Sequence, residues 1–243
     1  MTAEHGGKRT AVVTGASSGI GQAVSLRLCS MGFDVYGFGR DFHQNELNEE
    51  LASIPDFHPV AMDLCDTRRL EEEIRKIRLS QVVTLLVNAA GAAYYGLHET
   101  LNPGKISEMV RVNLEVPMIL SQLLLRDLKK NSGMIINISS VTASSSNPHG
   151  CAYGATKAGL SSFGRSLFDE ARKYGLKVVT ISPDMTQTRL YRNADFEASD
   201  LPEARLLAED VADAVAFAVG RPDTVNVSEM VIRPQLHRIR KKS

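Results

Sequence analysis

Short, nearly continuous apolar runs recur along the chain at residues 10–14, 33–38, 58–62, 82–87, 134–138, 178–181 and 230–232. They are too continuous for strands with one wet face, and predict parallel strands covered on both sides. Between them, apolar residues return with a helical period over 21–30, 68–78, 106–130, 153–174 and 208–219. Strand–helix alternation of this kind implies right-handed crossovers and an α/β fold with a doubly wound sheet. No internal repeat or linker interrupts it, so a single domain over 1–243 is expected. Two segments break the pattern. Residues 142–150 are rich in Ser, Asn, Pro and Gly and read as a loop. Residues 183–203 are long for an α/β connection, which predicts a lid over roughly 184–205. Both follow the carboxyl ends of predicted strands, where open α/β sheets bind ligands.

The first predicted strand runs into Thr14-Gly15-Ala16-Ser17-Ser18-Gly19-Ile20-Gly21. Gly15 permits a tight turn; Gly19 and Gly21 let the backbone approach a pyrophosphate and the helix pack closely. The helix N-terminus then offers free amides and a positive dipole end, to which Ser17 and Ser18 add hydroxyls. Alone, such a turn is equally a plain strand–helix connection. The second strand ends at Gly37-Phe38-Gly39-Arg40. An acidic residue there would hold the ribose of NAD. Gly39 removes it, and the Arg40 guanidinium suits a 2′-phosphate, which favours NADP over NAD. A surface ion pair for Arg40, or a one-residue shift bringing Asp41 to the ribose, are the alternatives. Asp63-Leu64 closes the third strand, as an acceptor for adenine or as a cap for the next helix. Asn88-Ala89-Ala90-Gly91 closes the fourth with small residues that let the backbone lie along the cofactor.

Composition narrows the partners. The 28 basic and 28 acidic residues balance, which argues against binding nucleic acid through its phosphates. Cys29, Cys65 and Cys151 show no paired spacing, so neither a disulfide framework nor a metal site is expected. Residues 1–8 lack the apolar core of a signal peptide and no run approaches the ~20 apolar residues that span a bilayer, so a cytoplasmic, membrane-free setting is expected. The basic run at 237–242 reads as a solvated chain end, with a docking tail as the alternative.

Far from the glycine turn, Tyr153-Gly154-Ala155-Thr156-Lys157 puts a phenol and an amine one helical turn apart on one face. A nucleotide site in one half and a proton-moving pair in the other suit a cofactor-dependent redox enzyme. The ordered set of Thr14–Gly21, Asp63, Asn88–Gly91, Asn113 in Arg111-Val112-Asn113-Leu114, Asn137-Ile138-Ser139-Ser140 and Tyr153-x-x-x-Lys157 resembles the short-chain dehydrogenase/reductase superfamily over nearly the whole chain.

The resemblance implies a Rossmann-like sheet of seven strands in the order 3-2-1-4-5-6-7 and a tetrad of Asn113, Ser140, Tyr153 and Lys157. Ser140, not Ser139, takes the substrate-side role because it precedes Tyr153 at the family spacing. Asn113 would join a water-linked proton relay through Lys157, and Lys157 would also hold the nicotinamide ribose. A phenol titrates near 10 unless tuned, and a neighbouring ammonium favours the phenolate, so Lys157 is expected to lower the pKa of Tyr153. Val112 is expected along the cofactor. After the sixth strand, Pro183-Asp184-Met185-Thr186-Gln187-Thr188 matches the family pattern at Pro183 and Thr188. Thr186 falls where a backbone contact to the carboxamide is implied, and Asp184 replaces a glycine.

Substrate contacts are expected from Ala92, Tyr94, Tyr95 and His98, from 142–149, and from Met185, Leu190, Tyr191 and Phe196. This mixture suits a small, moderately apolar carbonyl compound or secondary alcohol. Reduction of 3-oxoacyl groups on an acyl carrier protein is the runner-up, with docking on Lys129, Lys130, Arg172 and Lys173. A non-catalytic NADP-sensing protein is the reading from another class. Homodimers or homotetramers are implied by resemblance.

Overall fold

The computed structural model describes the backbone of residues 8–43 and 46–242, with side chains from 49 onward in the second stretch. Residues 1–7, on which the signal-peptide reading falls, lie outside the described residues. The first half runs β1 (Thr10–Thr14), α1 (Gly19–Ser30), β2 (Asp34–Gly39), α2 (Glu46–Ser53), β3 (Phe57–Ala61), α3 (Thr67–Ser80) and β4 (Val83–Asn88). Then come α4 (Pro103–Val110), α5 (Val116–Lys130), β5 (Met134–Ile138), α6 (Cys151–Ala171) and β6 (Lys177–Pro183). The chain ends with β7 (Phe196–Ala198), α7 (Ala208–Val219), β8 (Glu229–Ile232) and β9 (Ile239–Lys241).

Seven strands form one parallel sheet in the order β3-β2-β1-β4-β5-β6-β8. This is the Rossmann-like order expected, with β7 a short strand outside the main sheet. The continuous apolar runs have a direct cause. Val13 and Ile136 face α1 and α7, packing with Val24, Leu28, Val211 and Val215. Their neighbours Val12 and Ile135 point the other way, toward Leu70, Ile74, Leu120, Leu124 and Leu167 of α3, α5 and α6. Successive strand side chains alternate faces, so a sheet covered twice must be apolar at every position.

Two expectations need correction. The helix predicted over 106–130 is interrupted by a π-helical turn, Arg111–Glu115, between α4 and α5. Pro117 has no N–H to give the carbonyl of Asn113, so the α-helical ladder cannot pass through unbroken. The basic C-terminal run is exposed but is not a free chain end: β9 pairs antiparallel with β7. Arg240 meets Glu197 and Asp200 there. Among the described residues no helix is long and apolar enough to cross a membrane.

Candidate active site

β1 ends at Thr14, whose Oγ1 accepts from the amides of Ala89 at 3.0 Å and Ala90 at 3.1 Å, tying the ends of β1 and β4 together. The turn that follows has no room for a side chain at Gly15 or Gly21. Gly15 has φ +72°, and a Cβ on it would stand 2.9 Å from the Ala90 amide. A Cβ on Gly21 would run into the carbonyl oxygen of Gly15. The first turn of α1 is therefore drawn onto the strand end, and Ser17, Ser18, Gly19 and Ile20 line a cleft of about 400 Å³. Free helix amides facing a cleft attract anions.

At one end of this cleft lie Gly39, Arg40, Asp63 and Leu64. A Cβ on Gly39 would stand 2.6 Å from Ser17 Oγ, so a side chain here would have to displace Ser17. Asp41 Oδ1 accepts from the His43 amide at 2.9 Å. Asp63 Oδ1 accepts from the Cys65 amide at 2.9 Å, and the helix cap foreseen as its alternative belongs to Asp66, which accepts from the Arg69 amide. The opposite wall comes from α4 and the π turn: Gly104, Ser107, Glu108 and Arg111. Sequence reasoning did not mark these four as lining. Their i, i+3, i+4, i+7 spacing is the signal that places them on one helical stripe.

The other end is built on α6. Its buried face repeats at Tyr153, Thr156, Lys157, Leu160, Gly164 and Leu167, a helical stripe that turns polar where it reaches the strand ends. Tyr153 and Lys157 are only 4% exposed, yet both line the cleft with Ser140. Lys157 Nζ donates to the Ile138 carbonyl at 2.8 Å and stands 5.9 Å from the Tyr153 ring centre. Burial lowers its pKa to about 8. The expected lowering of the Tyr153 pKa is not what the protein alone shows. Burial and the neighbouring Tyr191 hold the phenol above its ordinary value, and only a hydrogen bond with Ser140 pulls it down. The ammonium does not counter this, because it is turned toward the Ile138 carbonyl. Ser140 Oγ accepts from the Thr142 amide at 3.2 Å and from Thr142 Oγ1 at 3.0 Å. Ser139 Oγ instead donates to the Lys157 carbonyl at 3.1 Å and meets Ser161 Oγ at 2.8 Å, binding β5 to α6.

Asn113 is fully buried and does not line the cleft. Its Oδ1 accepts from the Ala92 amide at 2.8 Å, and its Nδ2 donates to the Ala92 carbonyl at 2.8 Å and to Thr156 Oγ1 at 3.1 Å. The side chain fixes the loop after β4 against α6. Asn113→Ala is expected to cost roughly 2–4 kcal/mol of stability, because it strands both backbone groups of Ala92 in the interior. Denaturant unfolding checks this; a loss under 1 kcal/mol contradicts the positioning role.

An aromatic wall stands over Tyr153. Tyr95 lies 5.9 Å from the Tyr153 ring, 6.2 Å from Tyr191 and 4.9 Å from Phe196. Tyr94 points elsewhere, donating to Glu108 and accepting from Lys105. His149 takes a left-handed conformation, φ 65°, and accepts from the Gly96 amide, so it orders the loop and does not line the cleft.

The cleft thus brings together Gly15, Ser17, Ser18, Gly19, Ile20, Arg40, Asp63, Leu64, Ala89, Ala90, Gly91, Val112, Ser140, Tyr153, Lys157, Pro183, Thr186 and Thr188. Of the cofactor and catalytic residues picked from sequence, Gly21, Asn88 and Asn113 lie behind it; of the expected substrate contacts, Ala92, Leu190 and Tyr191 line it, whereas Tyr94, Tyr95, His98, Met185, Phe196 and residues 142–149 do not. Asn88 Nδ2 donates to Asn137 Oδ1 at 2.9 Å between β4 and β5.

Comparison with known proteins agrees with this arrangement. The family model described as short chain dehydrogenase matches residues 9–198. An uncharacterized oxidoreductase of Staphylococcus epidermidis is 33% identical, the match covering 93% of this chain and 97% of that one. One from Staphylococcus aureus is 30% identical over the same shares. The fold superposes on an alcohol dehydrogenase of Thermococcus sibiricus complexed with 5-hydroxy-NADP, with a TM-score of 0.84, 23% identity and coverage of 95% and 98%. It also matches a metagenomic short-chain oxidoreductase in complex with NADP, with a TM-score of 0.79, 28% identity and coverage of 94% and 97%. The chain belongs to the short-chain dehydrogenases, oxidoreductases that work with a nicotinamide cofactor.

Proposed function

We propose that the protein is an NADP-dependent oxidoreductase that interconverts a carbonyl and a secondary alcohol on a small, moderately apolar substrate. The observation that carries this reading is the buried pair Tyr153 and Lys157, opening with Ser140 into the same cleft as the glycine turn. The residues fit a dinucleotide: a cradle at Gly15 that any Cβ would fill, helix amides facing it, and Arg40 at the far end. Ser17–Ile20 would hold the pyrophosphate, Arg40 the 2′-phosphate, Asp63 and Leu64 the adenine, and Lys157 the nicotinamide ribose. Pro183, Thr186 and Thr188 would meet the nicotinamide end. When bound, the nicotinamide supplies or accepts the hydride.

The chain's own residues handle the proton. In reduction, Ser140 Oγ–H donates to the carbonyl oxygen and Tyr153 gives its phenolic proton to that oxygen as it becomes an alkoxide. The Lys157 ammonium stabilises the phenolate left behind; in oxidation Tyr153 takes the proton back. Segment 184–205 acts as the lid; Ala92, Leu190 and Tyr191 line the cleft and favour an apolar substrate, with Tyr95 and Phe196 packed behind Tyr191.

NADP is preferred because Gly39 carries no ribose-binding acid and Arg40 lines the cleft while Asp41 does not. The 28% identical relative solved with NADP supports it. Arg40→Ala is expected to raise the KM for NADPH about 10- to 100-fold, the loss of a charge-assisted phosphate contact, and to leave NADH nearly unchanged. Absorbance decay of both cofactors over a panel of ketones, diketones and acyl thioesters checks this; equal losses with both would return Arg40 to a surface role.

Carrier-protein docking on Lys129, Lys130, Arg172 and Lys173 is disfavoured. Lys173 lies at the far end of the helix that begins beside Tyr153, about 30 Å away. Lys129 and Arg172 already meet Glu170 and Asp169. A sensor without chemistry has no use for the cost of burying an ammonium at Lys157. A cytoplasmic homodimer or homotetramer completes the proposal, with Val110 and Met118 as exposed apolar residues on α4 and α5.

A further inference from the structure

We infer that the C-terminal strand β9 is a latch on the lid, and that Arg240 is a positioning residue for the wall of the substrate site. This rests on the proposed function only in taking residues 189–204 as that wall. The tail crosses back over the segment following β6 and pairs Phe196 with Lys241, Glu197 with Arg240 and Ala198 with Ile239. Backbone bonds extend the contact on both sides. The Lys242 amide donates to the Asp195 carbonyl at 2.8 Å, and the Leu236 amide donates to that of Glu203 at 2.7 Å.

Side chains add the charge. Arg240 Nε donates to Glu197 Oε1 at 2.9 Å, and its guanidinium also pairs with Asp200. Lys242 Nζ donates to the carbonyls of Tyr191 at 2.6 Å and Arg192 at 3.3 Å. The tail therefore holds the wall from its first turn, Arg189–Asn193, to its last, Pro202–Ala204. Among the described residues, none of the tail lines the cleft. The connection to chemistry runs through the rings: Phe196 and Tyr191 lie 5.6 Å apart, both against Tyr95, which lies against Tyr153.

The construction is that of a latch and not of a core. β7 and β9 have three residues each and form a separate two-stranded ribbon, with β9 exposed throughout. A ribbon this short is not stable by itself. What holds it besides its backbone bonds is a set of solvent-exposed ion pairs, individually weak and sensitive to salt. Such contacts are strong enough to bias a lid toward closure and weak enough to let it open for entry and release.

Chymotrypsin tests this without any substrate, because Leu190, Tyr191 and Phe196 offer cleavage sites within the lid. Arg240→Ala is expected to speed cleavage there about three- to tenfold, as the open population rises. NADPH binding, followed by its fluorescence, should stay as in the parent. Arg240→Lys should restore part of the protection, and so should the charge exchange Glu197→Arg with Arg240→Glu, which rebuilds the pair with residue 197 but not the one with Asp200. In 0.5 M NaCl the parent should approach the rate of Arg240→Ala, which itself responds little. On any ketone the protein reduces, Arg240→Ala should raise KM and leave kcat equal or higher. Lid cleavage at the parental rate, or a rise spread evenly over the whole chain, would overturn the latch. Faster lid cleavage in a protein that reduces no ketone would leave the latch standing and remove the reaction.

Discussion

Tyr153→Phe is expected to lower turnover by about 10²–10⁴-fold while leaving the fold and NADPH binding intact. The ring stays, so its contact with Tyr95 and its place on the buried face of α6 are preserved. What goes is one hydroxyl, the group bonded to Ser140. Stability should change little, since the lost hydroxyl leaves Ser140 its two bonds with Thr142. The measurement is NADPH oxidation on a ketone the parent reduces, with cofactor binding titrated separately. Retention of most of the turnover would mean that the proton comes from elsewhere.

Lys157→Ala is expected to reduce kcat/KM about 10²-fold or more and to weaken NADPH binding, because the same ammonium supports the phenolate and the ribose. Its pH signature is distinct. Burial lowers the Lys157 pKa from 10.5 to about 8. Reduction by the parent should therefore fall on the alkaline side near pH 8, as the ammonium deprotonates. Stability moves the opposite way. Between about 8 and 10.5 the unfolded chain holds this proton and the folded chain does not, so stability rises with pH across that window. The full contribution is on the order of 3 kcal/mol, absent below pH 8 and complete above 10.5. Unfolding of parent and variant without cofactor across this range isolates it. Parallel curves would show that the folded state does not bury a charged Lys157.

The residues of Tyr153, Lys157 and Ser140 were legible in the sequence because helical spacing, glycine placement and their order along the chain are properties of sequence itself. So was the parallel sheet, through strands apolar at every position. For Asn113 only the position was legible. Its motif marked the residue, but the structure spends its side chain on Ala92 and Thr156, a commitment made across 21 and 43 residues of chain. The break in the helix near it came from Pro117, visible in the sequence yet overridden there by a strong helical period.

The chain by itself determined the layered sheet, the glycine turn, the absence of an acid at Gly39 and the Tyr-x-x-x-Lys pair, since each is a matter of residue identity or of neighbours within a turn or two. Tertiary structure alone decided three other things. It made Lys157 a buried ammonium, brought the stripe from Gly104 to Arg111 over the cofactor cleft, and turned the basic C-terminal run into a strand on the lid. These depend on which distant segments meet, and the pairing of Arg240 with Glu197 spans 43 residues that no local pattern connects.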